Sequence, residues 1–186
     1  MSWNEHIEQV MEQVLIDEQA LKDRVAEMAR QITEDYTACK AEEVLVIGIL
    51  RGCVVFLSDL VRRMQLPVNL DFMAVSSYGS SKKSSGIVKI NKDLDTNIED
   101  QNVIIVEDIV DSGITLNYLV GYLESRGAKS IKICSLLNKQ CNRKVDLNAT
   151  YIGFEVDDLF IIGYGLDFDQ RYRNLPYISY LEDEED

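Results

Sequence analysis

Carboxylates and small polar residues follow an apolar segment near the middle of the chain, in the sequence VIIVEDIVDSGIT at residues 103–115. The β-branched apolar residues predict a buried strand, and the residues from 114 onward have a helical period. Backbone N–H groups at the start of a helix bind phosphate, and Gly113 lets the backbone approach a ligand closely. The pattern therefore suits a phosphorylated sugar, with amides for its phosphate and carboxylates for its hydroxyls.

Each part of this segment has an expected role. Glu107 and Asp108 are expected to accept hydrogen bonds from two ribose hydroxyls. The expected phosphate cradle consists of backbone amides and two hydroxyls, from Asp111, Ser112, Gly113, Ile114 and Thr115. An acidic pair or an Asp-Ser-Gly alone is usually a turn, so the prediction depends on the whole string. The sequence lacks Gly-x-x-x-x-Gly-Lys, which excludes that kind of nucleoside triphosphate site.

The composition limits the class of protein. A chain of 186 residues favours a single domain with a sizeable core, and we assign residues 1–186 to it. The net charge of −13 opposes general binding to nucleic acid. No run of about 18 apolar residues is present, so we expect no membrane span. Four cysteines without a CxxC pair, and no visible secretory signal, are typical of a reduced, cytoplasmic protein.

Strand and helix patterns alternate along the chain. Strands are predicted at 44–50, 68–78, 87–91, 102–107, 130–138 and 150–156. Helices are predicted at 4–16, from Asp17 to about Tyr36, at 53–64 with Val54 facing inward, and at about 114–126 before Gly127. Residues 79–86 form a polar loop, and residues 182–186 an acidic tail. The alternation predicts an α/β fold with a mainly parallel, twisted sheet flanked by helices.

Polar residues are predicted at one edge of this sheet. Glu107, Asp108, Arg51 and Lys139 each lie at or just past the end of a predicted strand. Ligands bind at the carboxyl ends of the strands in open α/β sheets. We therefore expect these four side chains to converge on one site.

The string E-D-x-x-D-S-G-x-T, between a strand and a helix, resembles the phosphoribosyl-pyrophosphate (PRPP) binding signature of the type I phosphoribosyltransferases. Further segments, in the same order, resemble the hypoxanthine-guanine branch of that family: LRG (50–52), SSY (76–78), LLNK (136–139), DLFIIGYGLD (158–167) and RYRNL (171–175). The resemblance covers roughly residues 10–180. It implies the type I phosphoribosyltransferase fold, with a small hood over the base site built from the N-terminal region and about 140–186.

The resemblance also implies a pyrophosphate site and a metal ion. Arg51 and Gly52 belong to the family's pyrophosphate loop, which commonly carries a non-proline cis peptide. Arg173 is expected to face the pyrophosphate, with Arg171 as the competing candidate. Mg²⁺ is the implied cofactor, and its expected carboxylate partners are Glu107, Asp108 and Asp167, the last one directly or through water.

The remaining implied roles concern the purine base. Lys139 donates to the 6-oxo group and Phe160 stacks on the ring, while the backbone of Ile161 and Asp167 reads the base edge. Asp111 exchanges a proton with N7 of the base as general base and acid. Tyr78, at the start of the 79–86 loop, closes over the reacting centre and excludes water.

The implied activity is purine salvage: the 5-phosphoribosyl group of PRPP passes to N9 of hypoxanthine or guanine, giving a nucleoside monophosphate and pyrophosphate. Homodimers or homotetramers are typical of the family. A phosphoribosyltransferase for xanthine, adenine or orotate, a PRPP-sensing regulator, and a phosphate-binding module without chemistry stay open as alternatives. Lys139 and Phe160 favour a 6-oxopurine, whereas Asp157 and Asp158 leave the order of hypoxanthine, guanine and xanthine open.

Overall fold

The computed structural model describes residues 13–77 and 88–181. Tyr78, the predicted loop at 79–86, the acidic tail at 182–186 and most of the predicted helix at 4–16 lie outside these ranges. The described helices are α1 (Glu18–Ala38), α2 (Val54–Val61) and α3 (Ile114–Ser125). The described strands are β1 (Val14–Ile16), β2 (Val44–Leu50), β3 (Val68–Ser77), β4 (Val88–Lys92), β5 (Asn102–Val110), β6 (Ser130–Asn138), β7 (Tyr151–Glu155), β8 (Phe160–Ile162) and β9 (Ile178–Leu181).

Six of these strands form the central sheet, in the order β4-β3-β2-β5-β6-β7. Neighbouring strands are parallel except for β3 and β4, which form an antiparallel pair at one edge. A second sheet, in the order β1-β9-β8, is antiparallel. The expected α/β fold with a mainly parallel sheet and flanking helices is confirmed.

Side-chain alternation divides the core into two layers, one on each face of the central sheet. Val44 and Val46 of β2 belong to the cluster that includes the buried faces of α1 and α2. Leu45 and Ile47 belong to the cluster that includes the buried face of α3. Residues 103–106 of β5 alternate in the same way between the two clusters. The adjacent carboxylates that follow them in β5 therefore leave the strand on opposite faces.

Two helix ends follow the prediction: the start of α1 at Asp17 and the end of α3 at Gly127. The N–H of Ala20 donates to Oδ1 of Asp17 at 2.8 Å, so Asp17 caps α1 as predicted. Gly113 precedes α3 with a φ of +77°, and Gly127 follows its last turn with a φ of +80°. Both glycines hold the left-handed backbone that residues with a Cβ rarely adopt.

Two predictions about elements are wrong. Residues 14–16 do not end a helix but form β1, in which Ile16 pairs with Ile178 of β9. Three consecutive apolar residues suit a strand as well as a helix, and β9 supplies the backbone partners. Val54 does not face inward: it opens the short helix α2 and its side chain is 44% exposed. The buried residues of α2 lie two, three and six positions later, at Phe56, Leu57 and Leu60.

The second sheet is joined to the rest of the protein by its apolar residues. Ile16 of β1, Ile161 of β8 and Ile178 of β9 are buried in the cluster that contains α1 and α2. Phe160, at the start of β8, is 47% exposed. In the described ranges no helix combines the length and the apolar character needed to cross a membrane.

Candidate functional site

The ends of three central strands bring the predicted residues to one edge of the sheet. β2 ends at Leu50 and β6 ends at Asn138, so Arg51 and Lys139 begin loops at this edge. The peptide bond between Leu50 and Arg51 is cis. β5 continues to Val110, three residues beyond the predicted end, because β6 extends its ladder through the pairs Ile109–Leu137 and Val110–Asn138. The carboxylates at 107 and 108 therefore lie inside the strand, not after it.

Glu107 faces a small cavity at the start of α3. The cavity has a volume of about 130 Å³. Its lining residues come from the end of β5 and the turn before α3: Glu107, Ile109, Val110, Asp111, Ser112, Gly113, Thr115 and Leu116. Ile114 is the first residue of α3. The structure thus brings the residues of the predicted phosphate cradle together around one cavity.

The loop after Lys139 packs against this cradle from outside. The N–H of Lys144 donates to the carbonyl of Ser112 at 3.0 Å. A Cβ added to Gly113 would lie 2.9 Å from Cγ2 of Val145 and 3.2 Å from Cδ of Arg143. Position 113 therefore requires glycine for two reasons, its positive φ and its close neighbours.

Asp108 faces the opposite side of the sheet and contacts the loop that contains the cis peptide. A Cβ added to Gly52 would lie 1.5 Å from Oδ2 of Asp108, so only glycine fits beside this carboxylate. Gly165 approaches from the other side: a Cβ added there would lie 2.1 Å from the carbonyl oxygen of Gly52. The two close approaches fix the loop at 51–52 between Asp108 and the segment that carries Asp167.

Burial raises the pKa of both carboxylates in β5. Loss of solvent raises the pKa of Asp108 to about 6, against the opposing effects of backbone hydrogen bonds and of the Arg173 charge. The Asp167 charge contributes to the increase. The pKa of Glu107 is raised well above its ordinary value, first by burial and then by the Asp108 charge. Burial and these two carboxylates also raise the pKa of the Cys53 thiol, which fits a packing role.

The Asp108→Asn variant is expected to be more stable than the wild type at neutral pH. Folding raises the pKa of Asp108 from 3.8 to about 6. The raised pKa means that the protonated Asp108 side chain favours the folded state. This stabilisation is complete below about pH 4 and is lost as the pH rises through about 6. The shift corresponds to about 3 kcal/mol, and we expect the variant to recover about 2 kcal/mol of the free energy of unfolding at pH 8.

Urea unfolding in EDTA at pH 8 and pH 4.5 measures this difference. The side-chain oxygen of the asparagine in the variant can still accept the N–H of Ile109, which Asp108 binds at 3.0 Å. Asp23→Asn, on the exposed face of α1, is the control and should leave both curves unchanged. Equal stability of wild type and Asp108→Asn at pH 8 would contradict the burial argument.

Two arginines of the predicted pyrophosphate site meet at Gln170. Nη1 of Arg51 donates to Oε1 of Gln170 at 2.9 Å, and Nη2 of Arg173 approaches the same oxygen at 3.4 Å. Arg173 also forms an ion pair with Asp167 at 2.7 Å and donates to the carbonyl of Gly165 at 2.7 Å. Arg173 therefore lies beside Asp167, and its charge also lowers the pKa of Asp108.

The predicted base-binding residues lie at the start of β8 and beside it. Nζ of Lys139 donates to the carbonyl of Leu159 at 2.6 Å, one residue before Phe160. The ring of Phe160 makes an edge contact with Phe168, with centroids 5.4 Å apart, and both rings are 47% exposed. Ile161 is buried and pairs with Tyr180 of β9. An exposed aromatic surface thus adjoins a buried ammonium.

A model of the phosphoribosyl transferase domain matches residues 13–169 of this sequence. The chain belongs to the phosphoribosyltransferase family. It is 49% identical over 172 residues to the hypoxanthine-guanine phosphoribosyltransferase of Bacillus subtilis, covering 92% of this chain and 94% of that protein. The enzyme of the same name from Dictyostelium discoideum is 47% identical over 175 residues, covering 92% of this chain and 96% of that protein.

Solved structures agree with this phosphoribosyltransferase assignment. The crystal structure of a hypoxanthine phosphoribosyltransferase from Staphylococcus aureus superposes with a TM-score of 0.90 at 39% identity, covering 97% of each chain. The predicted family and enzyme class are therefore confirmed. The role of each site residue stays a prediction, including that of Tyr78, which lies outside the described residues.

Three residues of the phosphoribosyltransferase site were not predicted from the sequence. Gln170 has a φ of +63°, and this strained turn places it against Arg51, 119 residues away. Phe168 adds the second exposed ring, and Gly165 has a φ of +108°. The nearest signal in the sequence was the segment DLFIIGYGLD (158–167), which contains Gly165 and ends just before Phe168. The competing arginine at 171 is exposed and bridges back to Phe168.

Proposed function

We propose that this phosphoribosyltransferase transfers the 5-phosphoribosyl group of PRPP to N9 of hypoxanthine or guanine, giving inosine or guanosine monophosphate and pyrophosphate, in cytoplasmic purine salvage. The observation that carries the proposal is the convergence of three groups at the ends of adjacent strands. Arg51 follows β2 and shares Gln170 with Arg173, the cradle follows the neighbouring β5, and Lys139 follows β6. These groups suit a pyrophosphate, a phosphate and a 6-oxopurine, respectively.

The 5′-phosphate of PRPP is assigned to the backbone amides of residues 111–115. Helix N-terminal amides supply positive potential without a cation, which allows a protein with a net charge of −13 to bind a polyanion. Glu107 lines the same cavity and Asp108 lies on the opposite face of β5. Glu107 therefore accepts from a ribose hydroxyl on the side of the 5′-phosphate. Asp108 accepts from a ribose hydroxyl on the side of the pyrophosphate.

The pyrophosphate is assigned to Arg51, Gly52 and Arg173, and Mg²⁺ to the nearby carboxylates. In the described ranges no three His, Cys, Asp or Glu residues form a group that could hold a metal ion alone. Mg²⁺ commonly takes one or two carboxylates and completes its shell with water and substrate oxygens. Asp108 and Asp167 fit that requirement. The two carboxylates are close enough for the charge of Asp167 to raise the pKa of Asp108. When bound, Mg²⁺ neutralises the charge of the pyrophosphate.

The bond between ribose C1′ and pyrophosphate breaks early, leaving an oxocarbenium-like carbon. Arg51 and Arg173 stabilise the negative charge that develops on the leaving group. Asp111, exposed beside the cradle, accepts the proton from N7 as N9 bonds to C1′. Lys139 donates to O6, which favours an oxygen over the amino group of adenine at that position.

Purified protein with PRPP, Mg²⁺ and a panel of hypoxanthine, guanine, xanthine and adenine tests the proposal. We expect the largest kcat/KM values for hypoxanthine and guanine, with pyrophosphate released in equal amount to the nucleotide. A preference for adenine would contradict the role of Lys139. Failure of every base, with PRPP still bound, would favour a sensing or binding protein instead.

We also propose that residues 1–186 act as one domain, in which the sheet β1-β9-β8 is the hood over the base. The protein is further proposed to be a homodimer or homotetramer. Val54 and Leu70 support this, because they are 44% and 47% exposed apolar residues on or beside the α2 face of the sheet. Light scattering after size-exclusion chromatography measures the oligomeric state. A monomer at micromolar concentration would contradict the proposed homodimer or homotetramer.

A further inference from the structure

The ammonium of Lys139 is held from one side by two protein groups. It donates to the carbonyl of Leu159 at 2.6 Å and lies 3.4 Å from Oδ1 of Asp158. The lysine side chain is only 11% exposed, so these contacts offset the loss of water around the charge. An ammonium has three N–H donors. Two contacts on one side fix its rotation and leave one hydrogen for a ligand.

Asp158 is itself held by a residue of the loop that follows β6. Nδ2 of Asn142 donates to Oδ1 of Asp158 at 2.8 Å, the same oxygen that faces Lys139. The Asp158 side chain is 64% exposed, so packing alone does not fix its rotamer. The amide of Asn142 therefore selects the rotamer in which the carboxylate faces the ammonium.

We propose that Asn142 and Asp158 form a positioning pair, which orients the Lys139 ammonium toward the purine oxygen and so contributes to the selection of 6-oxopurines. The inference rests on the proposed function, in which Lys139 donates to O6. Neither member of the pair touches the base in this assignment, and both act through Lys139. The competing explanation is that the pair only stabilises the turn at 157–160.

Asp158→Asn and Asp157→Asn form a matched test. Both replace an exposed aspartate of the same turn by an isosteric neutral residue, but only Asp158 contacts Lys139. For Asp158→Asn we expect the KM for hypoxanthine to rise about fivefold to tenfold, the range for one partly screened charged contact. The KM for PRPP should stay within about twofold of wild type, because the cradle and the arginines are unchanged. Asp157→Asn should leave the KM for PRPP unchanged and should raise the KM for hypoxanthine less than Asp158→Asn does.

Asn142→Ala and the double variant test whether the two residues act together. Asn142→Ala alone should raise the KM for hypoxanthine in the same direction as Asp158→Asn. Because Asn142 acts only through Asp158, the double variant should be no worse than Asp158→Asn. Fully additive effects would contradict the pairing of the two residues.

Two further measurements keep the inference separate from the proposed function. If the wild-type enzyme prefers another base, the same KM ratio is measured with that base. If it forms no nucleotide at all, the proposed function fails, and calorimetric binding of inosine monophosphate to wild type and Asp158→Asn decides the positioning role. Weaker binding by Asp158→Asn supports the pair. Equal binding, or a parallel loss of hypoxanthine and PRPP affinity with a lower Tm, overturns it.

Discussion

Replacement of Asp111 by asparagine is expected to lower kcat by about 10²- to 10⁴-fold, the usual contribution of a general acid–base group. Asparagine keeps the size of the side chain and the backbone amide of the cradle. It cannot accept the N7 proton as the purine attacks C1′. Asp111 is exposed at the mouth of the cavity below α3, so the change leaves no buried group unpaired.

Steady-state kinetics and calorimetry of PRPP together test this prediction. PRPP should bind to Asp111→Asn with an affinity close to that of the wild type, because backbone amides hold its phosphate. Asp146→Asn is the control, since Asp146 is an exposed aspartate in the loop that packs against the cradle. A similar kcat loss in the control would indicate an effect of charge near the cradle. Wild-type turnover by Asp111→Asn would overturn the assignment of Asp111 as the general base.

Replacement of Gly165 by alanine is expected to lower the free energy of unfolding by about 3 kcal/mol and to weaken pyrophosphate binding. Gly165 has a φ of +108°, and its Cβ would lie 2.1 Å from the carbonyl oxygen of Gly52. Both obstacles belong to the backbone, so no side-chain rotation relieves them. The loop at 51–52 must move away from Arg173, which donates to Gly165 itself.

Gly121→Ala is the matched control for this substitution. Gly121 lies inside α3, and a Cβ added there meets no atom within 4 Å. Alanine should therefore stabilise the helix by about 0.5–1 kcal/mol. Thermal unfolding should show a Tm about 6–12 °C lower for Gly165→Ala and slightly higher for Gly121→Ala. A Tm for Gly165→Ala equal to that of the wild type would contradict the close approach of the two loops.

The sequence alone predicted the elements whose causes are local. Residues 103–106 are β-branched and apolar, Gly113 and Gly127 flank a periodic segment, and Asp17 precedes an amphipathic one. A cap, a left-handed glycine and a helical face depend on residues within about four positions, so the pattern was sufficient. The same reasoning gave a wrong prediction for residues 14–16. Three apolar residues fit either a helix or a strand, and only pairing with the distant strand β9 decided for the strand.

What the sequence determined by itself was the set of chemical groups: cradle amides, four carboxylates, two arginines, a lysine and an aromatic ring. Tertiary structure decided their partners. It placed Gln170 between Arg51 and Arg173, Gly165 against Gly52, and Asp158 beside Lys139. Such contacts join segments far apart in the chain through left-handed turns and close backbone approaches. Local propensity does not encode them, because they gain their stability only when the sheet and its loops pack together.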